Sequence, residues 1–219
     1  NYALIEDVSS ALNTTAHDNL LWIMYDLGYP TDAIEVVKGL YTQATTQVHT
    51  AYGPTSPIPV ERGTIQGDTL SPFLFLIYME PLLRWLQVGA RGYQPGCVTS
   101  EGKDAQLRCT IGGLAYADDL IILASKISNL LAQAEKLQQY SQWGGLHINF
   151  KKSRATGVHY NKGTLAQLDT SDPTSGVSTR LRPVTDRYGY AVLGPDEPFL
   201  YLGVWLTMIL KWERQWQEL

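Results

Sequence analysis

The chain has 219 residues, 44% of them hydrophobic and 17% charged, which suits one sizeable packed domain and excludes a disordered tail. A net charge of −4 is the wrong sign for a simple nucleic-acid binder, which shows a basic surface. Two cysteines, Cys97 and Cys109, exclude a disulfide scaffold, and with four scattered histidines (His17, His49, His147, His159) they speak against a zinc site.

In chain order, a short strand is predicted at residues 2–5, ending at Glu6-Asp7. Leu20, Leu21, Met24 and Leu27 recur at helical spacing over residues 18–27, and Gly28 and Pro30 close that helix. A second helix over 32–41 places Ile34, Val37, Leu40 and Tyr41 on one face. Residues 45–50 and 58–60 are weak strand candidates around a Gly53-Pro54 turn. Ser71-Pro72 is a helix start, an N-cap with proline at the first helical position. The helix it opens, to about residue 86, is apolar on most faces and expected to be buried, with a bend at Pro81. Residues 89–113 are glycine-rich and irregular, with one strand at 106–111.

Tyr116-Ala117-Asp118-Asp119 then separates two apolar runs, 111–115 and 120–124, which predicts a β-hairpin with the acidic pair at its turn. Neighbouring aspartates repel each other, so a tight turn holding both calls for a cation, and a divalent metal ion that favours hard oxygen ligands is the candidate. Ile127, Leu130, Leu131, Ala134 and Leu137 form a helical stripe that Gly144-Gly145 ends. Residues 160–198 are rich in Gly, Pro, Ser, Thr and Asp and predict a long loop or hairpin insertion. A final strand is expected at 199–206, and 211–219 begins a polar helix. This order of elements predicts an α+β domain with a sheet backed by helices.

Three further stretches accompany the acidic hairpin. Asp7 opens Asp7-Val8-Ser9-Ser10-Ala11-Leu12-Asn13, with His17 ten residues after the aspartate. Gly63-Thr64-Ile65-Gln66-Gly67-Asp68-Thr69-Leu70-Ser71-Pro72 precedes the apolar helix, and Gly145-Leu146-His147-Ile148-Asn149-Phe150-Lys151-Lys152-Ser153 follows the helix after the hairpin. In this order, with Tyr201-Leu202-Gly203 on the last strand, they resemble the palm motifs of reverse transcriptases, most closely those of non-LTR (LINE-type) retrotransposons.

The resemblance covers the chain to about residue 206. It implies a polymerase palm, an antiparallel sheet backed by helices, with part of the fingers and the start of the thumb. Residues 1–206 would be an N-terminally truncated palm, and 207–219 the start of the thumb or a linker. The implied reaction is RNA-directed DNA synthesis, in which a primer 3′-hydroxyl attacks the α-phosphate of a deoxynucleotide. Such transfer needs two divalent ions about 4 Å apart. The resemblance makes Asp7 and Asp118 the residues that ligate the metals, with Asp119 assisting as a third ligand, and Mg²⁺ or Mn²⁺ as the ion. It places Gln66 and Gly67 against the template and incoming nucleotide, with Tyr116 beside them and Leu12 at the sugar. It sets Lys152 near the triphosphate, where a cation could neutralise or protonate the leaving pyrophosphate. Tyr201-Leu202-Gly203 would belong to the primer grip. The implied partners are an RNA template, a DNA primer, deoxynucleoside triphosphates and the rest of a parent polyprotein.

Two departures bear on this reading. Leu12 stands where the family usually has an aromatic residue guarding the sugar, and Thr15-Ala16 stands where Val-Asp or a similar pair commonly precedes the histidine. A decayed or domesticated palm scaffold that binds RNA or protein without catalysis is the alternative from another class. A group II intron or retron-type reverse transcriptase is the alternative among enzymes. The chain lacks an initiator Met and is expected to be part of something longer, so fingers and thumb would carry much of the basic surface. Lys151, Lys152, Arg154 and Lys162 make a modest local patch. No apolar leader opens the chain and its longest apolar segment, 73–79, is too short to cross a bilayer. An intracellular protein, cytoplasmic or nuclear and not secreted, is expected, and the fragment alone is expected to be inactive.

Overall fold

Alternating burial along the first strand organises the molecule: Leu4, Glu6 and Val8 are buried, while Ile5, Asp7 and Ser9 are half-exposed. The computed structural model describes residues 1–9, 11–65, 67–89, 91–94, 110–161, 164–166, 177–194 and 196–208. Gln66, Cys97, Cys109, Lys162, most of the strand predicted at 106–111 and the helix predicted at 211–219 lie outside them.

The elements run β1 (Tyr2–Ser9), α1 (Ala11–Thr14), α2 (His17–Asp26), α3 (Thr31–Tyr41), β2 (Thr45–Thr46), β3 (His49–Thr50), β4 (Gly53–Pro54), β5 (Ile58–Pro59) and α4 (Ser71–Gln87). Then come β6 (Gly113–Tyr116), β7 (Asp119–Ala124), α5 (Ile127–Gly144), β8 (His147–Ile148), β9 (Arg154–Gly157), β10 (His159–Asn161), β11 (Thr164–Ala166), α6 (Val177–Tyr188), β12 (Ala191–Val192), β13 (Phe199–Tyr201) and β14 (Val204–Leu206). None of the described helices is long and apolar enough to cross a membrane.

The chain divides into two compact units. The first comprises Asn1–Val8, Leu82–Gln139 and Ile148–Leu219. Its main sheet has the order β12–β9–β1–β7–β6. β1 runs antiparallel to β7, from Tyr2 opposite Ala124 to Asp7 opposite Asp119, and antiparallel to β9 on its other side. β6 and β7 form the expected hairpin, and Leu4, Leu120, Ile122, Leu130, Leu137, Ala155, Leu181 and Val184 are buried in this unit. The sheet is mixed, because β12 pairs parallel with β9. A parallel neighbour needs a crossover, and α6 supplies it. The stretch expected to be loop or hairpin therefore holds the β10–β11 hairpin and also a helix. That helix buries Leu181, Val184 and Tyr188, an i, i+3, i+7 pattern masked in the sequence by Pro183 and by polar neighbours.

The C-terminal end of α4 is closed from α5. Gln133 Nε2–H donates to Leu86 O at 2.7 Å, and the buried Lys136 ammonium donates to Trp85 O and Val88 O. They thereby cover carbonyls at and just past the end of α4, where a helix runs out of N–H partners. The predicted last strand is in fact two, β13 and β14, paired around Leu202-Gly203, whose φ values of +51° and +77° make the turn. The first strand also runs four residues further than its apolar pattern suggests, carrying Asp7 inside it.

The second unit comprises Ser9–Pro81 and Tyr140–His147. Here α2 and α3 bury Leu20, Ile23, Met24, Val37 and Tyr41, and α4 runs through Pro81 to Gln87. The two-residue ladders β2–β5 and β3–β4 form a hairpin whose turn lies at Ala51-Tyr52, with the expected turn residues Gly53-Pro54 paired instead as β4. Entry to α4 differs from the expected serine cap. Ser71 Oγ–H donates back to Ile65 O at 2.7 Å, and Asp68 Oδ1 accepts the Leu70 N–H at 3.1 Å. Tyr78 O–H donates to Gly144 O at 2.6 Å, and Tyr140 O–H donates to Tyr78 O, which joins the end of α5 to α4 within this unit.

Candidate active site

The acidic turn is built by backbone constraint. Tyr116 pairs with Asp119 at the end of the β6–β7 ladder, and Ala117, between them, holds φ at +52°. A residue with a Cβ pays for that conformation, and such strain concentrates where a turn has work to do. Asp118 is exposed at the turn, Asp119 is half-buried at the start of β7, and Tyr116 is exposed.

β1 brings Asp7 directly opposite Asp119. Residues opposite one another on antiparallel strands have Cβ atoms about 4.5–5.5 Å apart on one face of the sheet. Burial raises the pKa of Asp119, and the charges of Asp118 and Asp7 raise it further. Asp118 and Asp7 thus both act on Asp119, which the β1–β7 register sets opposite Asp7 along the backbone. Among the described residues no group of three or more His, Cys, Asp or Glu is arranged to hold a metal ion, so the three do not form a closed shell. Their chemistry nonetheless fits a divalent cation. The donors are hard oxygens, the charges of Asp118 and Asp7 both bear on Asp119, and Mg²⁺ uses one or two carboxylates while keeping several waters.

Asp7 is anchored through its backbone to the segment that carries Lys152. Asn149 N–H donates to Asp7 O at 2.8 Å, and Asp7 N–H donates to Ser153 Oγ at 3.1 Å. Within that turn, Lys152 N–H and Ser153 N–H both donate to Asn149 O, at 2.9 and 2.8 Å. Lys152 is exposed at the turn, and the Arg154 guanidinium donates to Lys151 O and Ser153 O. Burial and then the charge of Asp119 raise the phenol pKa of Tyr201, the last residue of β13 before the hairpin turn.

Glu6, which the sequence reading left without a role, points inward with only 2% of its surface exposed. Tyr190 O–H donates to Glu6 Oε1 at 2.7 Å, while Glu6 Oε2 has no hydrogen-bond partner among the described residues. Burial pushes the Glu6 carboxyl up to about 7, against the opposing pull of the Tyr190 and Ser153 hydroxyls. Strand alternation with Leu4 and Val8 was the signal that could have found it.

In the second unit, Leu12 lies half-buried on α1, and its carbonyl accepts the Thr64 N–H at 2.7 Å and the Thr64 Oγ–H at 3.3 Å. His17 stacks on Tyr41 with ring centroids 4.2 Å apart, and its Nε2–H donates to Gly63 O at 2.7 Å. Gly67 is exposed with φ at +87°, and nothing lies within 4 Å of where a Cβ would stand.

Residues 1–206 match the reverse transcriptase (RNA-dependent DNA polymerase) family, and the chain belongs to it. It is 29% identical over 213 residues to the retrovirus-related Pol polyprotein from type-1 retrotransposable element R2 of Popillia japonica, a match covering 93% of this chain and 28% of that polyprotein. It is 27% identical over 154 residues to the retrovirus-related Pol polyprotein from type-2 retrotransposable element R2DM of Drosophila melanogaster, covering 69% and 13%. These relatives are of the non-LTR class that the motifs resemble, and the chain spans little more than a quarter of their length at most. An apo telomerase structure from Candida tropicalis, truncated from its C-terminal domain, shares the fold with a TM-score of 0.53. That similarity covers 76% of this chain and 33% of the telomerase chain at 15% identity.

Proposed function

We propose that the chain is the palm of an RNA-directed DNA polymerase from a non-LTR retrotransposon, with residues 1–206 as the palm and 207–219 leading into thumb or linker. Asp7 standing opposite Asp119, beside Asp118, in a chain of this family is the observation that carries the reading. Reverse transcriptases use divalent metal ions. Asp7 and Asp119, with Asp118 beside them, would hold Mg²⁺ or Mn²⁺, which when bound stabilises charge developing on phosphoryl oxygens.

The remaining roles fall to the chain itself. The backbone at Gly67 is open to close approach by a nucleotide, and Gln66 beside it contacts the template strand. Lys152 supplies charge or a proton to the leaving pyrophosphate from a turn tied to Asp7. Tyr116 and Leu12 border the nucleotide, and Tyr201 lies at the primer end. An RNA template, a DNA primer, deoxynucleotides and the rest of the polyprotein are the partners, in the nucleus or cytoplasm.

The test is primer extension on an RNA template by a polymerase carrying this chain with fingers and thumb restored. Asp7→Ala and Asp119→Ala are each expected to lower the rate about a thousandfold, and Lys152→Ala about a hundredfold. The 219-residue chain alone is expected to extend poorly, since positioning supplies most of phosphoryl-transfer catalysis. Undiminished extension by Asp7→Ala would overturn the reading. RNA binding with no extension by the intact polymerase would favour the scaffold instead.

A further inference from the structure

β1 carries two acids side by side that face opposite ways. Asp7 meets Asp119, whereas Glu6 is buried against Tyr190, a residue of the short link between α6 and β12. The same link touches the Lys152 turn. The Tyr190 ring meets Phe150 edge-on at a centroid distance of 5.4 Å and packs against Tyr188 at 6.3 Å. On the other side of Lys152, Ser153 Oγ accepts the Asp7 N–H. Lys152 is thus flanked by one residue packed on Tyr190 and another bonded to Asp7. Glu6 Oε1 accepts the Tyr190 O–H hydrogen bond on the face of β1 opposite to Asp7.

We infer that Tyr190 is a positioning residue, which through Glu6 and Phe150 fixes the placement of Asp7 and of the Lys152 turn. The inference rests on the polymerase reading above and extends it to a segment that touches no reacting group. A one-residue slip of β1 would turn Leu4 and Val8 to solvent and Asp7 into the core, so the apolar residues of the strand resist it, and the Tyr190 hydroxyl gives the inward position a polar partner that suits Glu6. Phe150 packed on the same ring keeps the 149–153 turn seated while the Asn149 N–H holds the Asp7 carbonyl and the Ser153 hydroxyl holds the Asp7 N–H. Small displacements of a reacting constellation are costly, on the order of a hundredfold in rate per ångström.

The experiment uses the complete polymerase and three variants. Tyr190→Phe removes only the hydroxyl. Ser153→Ala removes the acceptor for the Asp7 N–H and serves the same purpose if Tyr190→Phe does not fold. Glu6→Gln keeps an acceptor for the Tyr190 hydroxyl. Tyr190→Phe and Ser153→Ala are expected to lower kcat per folded molecule about tenfold with little change in KM for primer–template. They should also weaken Mn²⁺ binding several-fold, read by water-proton relaxation without substrate, while Glu6→Gln retains most of both. Unchanged kcat and Mn²⁺ affinity per folded molecule, with only Tm lowered, would overturn the inference. An inactive Asp7→Ala control beside that outcome leaves the polymerase reading standing, whereas an active Asp7→Ala control removes both.

Discussion

Asp7 and Asp119 face each other across β1 and β7, two carboxylates in direct antiparallel register. Like charges so placed destabilise a sheet by a fraction of a kcal/mol. Neither acid is needed there for packing, since Leu4, Leu120 and Ile122 fill the core of the same strands. The arrangement is an electrostatic cost that a bound cation would remove.

Asp119 supplies the first prediction. Its pKa is raised in the folded protein, so its contribution to stability is full below the ordinary carboxylate pKa and is lost as pH rises through the raised value. At pH 7 without divalent ions, Asp119→Asn is expected to raise Tm by about 1–2 °C, which corresponds to about 0.5 kcal/mol in a domain of this size. Added Mn²⁺ should stabilise the parent more than the variant. Thermal unfolding with and without the ion measures both, and a lower Tm for metal-free Asp119→Asn would contradict the account.

Glu6 gives a steeper pH dependence. Its carboxyl is raised from 4.5 to about 7 by full burial. The stability it confers is therefore complete below pH 4.5 and lost as pH climbs through 7. The loss amounts to as much as about 3 kcal/mol, from 1.36 kcal/mol per pKa unit. Denaturant unfolding at pH 5 and pH 8 should show the parent weaker at pH 8. Glu6→Gln, which cannot ionise, should flatten that difference. Equal slopes in the two proteins would mean that Glu6 is not the group responsible.

What the sequence made legible divides along physical lines. The acidic hairpin, α2 to α5 and the family could be read because apolar spacing and turn residues are local. The inward role of Glu6 was hidden because a charged residue at the end of an apolar run looks like a strand terminus, and only cross-strand pairing shows β1 continuing to Ser9. The parallel β9–β12 pair and α6 were hidden for a different reason. Proline and polar residues dominate residues 167–187, while three buried side chains suffice to seat the helix. Which residue stands opposite Asp7 on the backbone depended on register, which motif spacing does not specify to one residue; the ladder sets Asp119 there, one step from Asp118 at the turn.

Two glycines of the Gly63–Gly67 stretch share nearly the same conformation, φ +86° and +87°, yet differ in surroundings. A Cβ on Gly63 would meet Asn13 backbone atoms at 2.7–2.9 Å, whereas one on Gly67 would meet nothing within 4 Å. Gly67→Ala is expected to cost about 1 kcal/mol, the conformational strain alone. Gly63→Ala should cost about 3 kcal/mol, because backbone must also move. Chemical denaturation gives both values. In the complete polymerase, Gly67→Ala should still lose extension rate out of proportion to its stability, if a nucleotide approaches that open backbone. A parental rate for Gly67→Ala would remove Gly67 from the nucleotide site.

The last prediction concerns Leu12, half-buried on α1 and held at its carbonyl by Thr64. On the polymerase reading it borders the sugar of the incoming nucleotide, and leucine reaches less far than phenylalanine or tyrosine. A 2′-hydroxyl should therefore clash less than against an aromatic wall. Apolar walls reject an added hydroxyl by about a hundredfold at best, so discrimination against ribonucleotides should be well below that with leucine and rise toward it in Leu12→Phe. The comparison is kcat/KM for matched deoxy- and ribonucleotides in the complete polymerase, with each variant. Because the Leu12 contact with Thr64 runs through the backbone, Leu12→Phe leaves that anchor in place, and a change in selectivity reports the side chain itself. Equal selectivity in the two proteins would make Leu12 an ordinary packing residue.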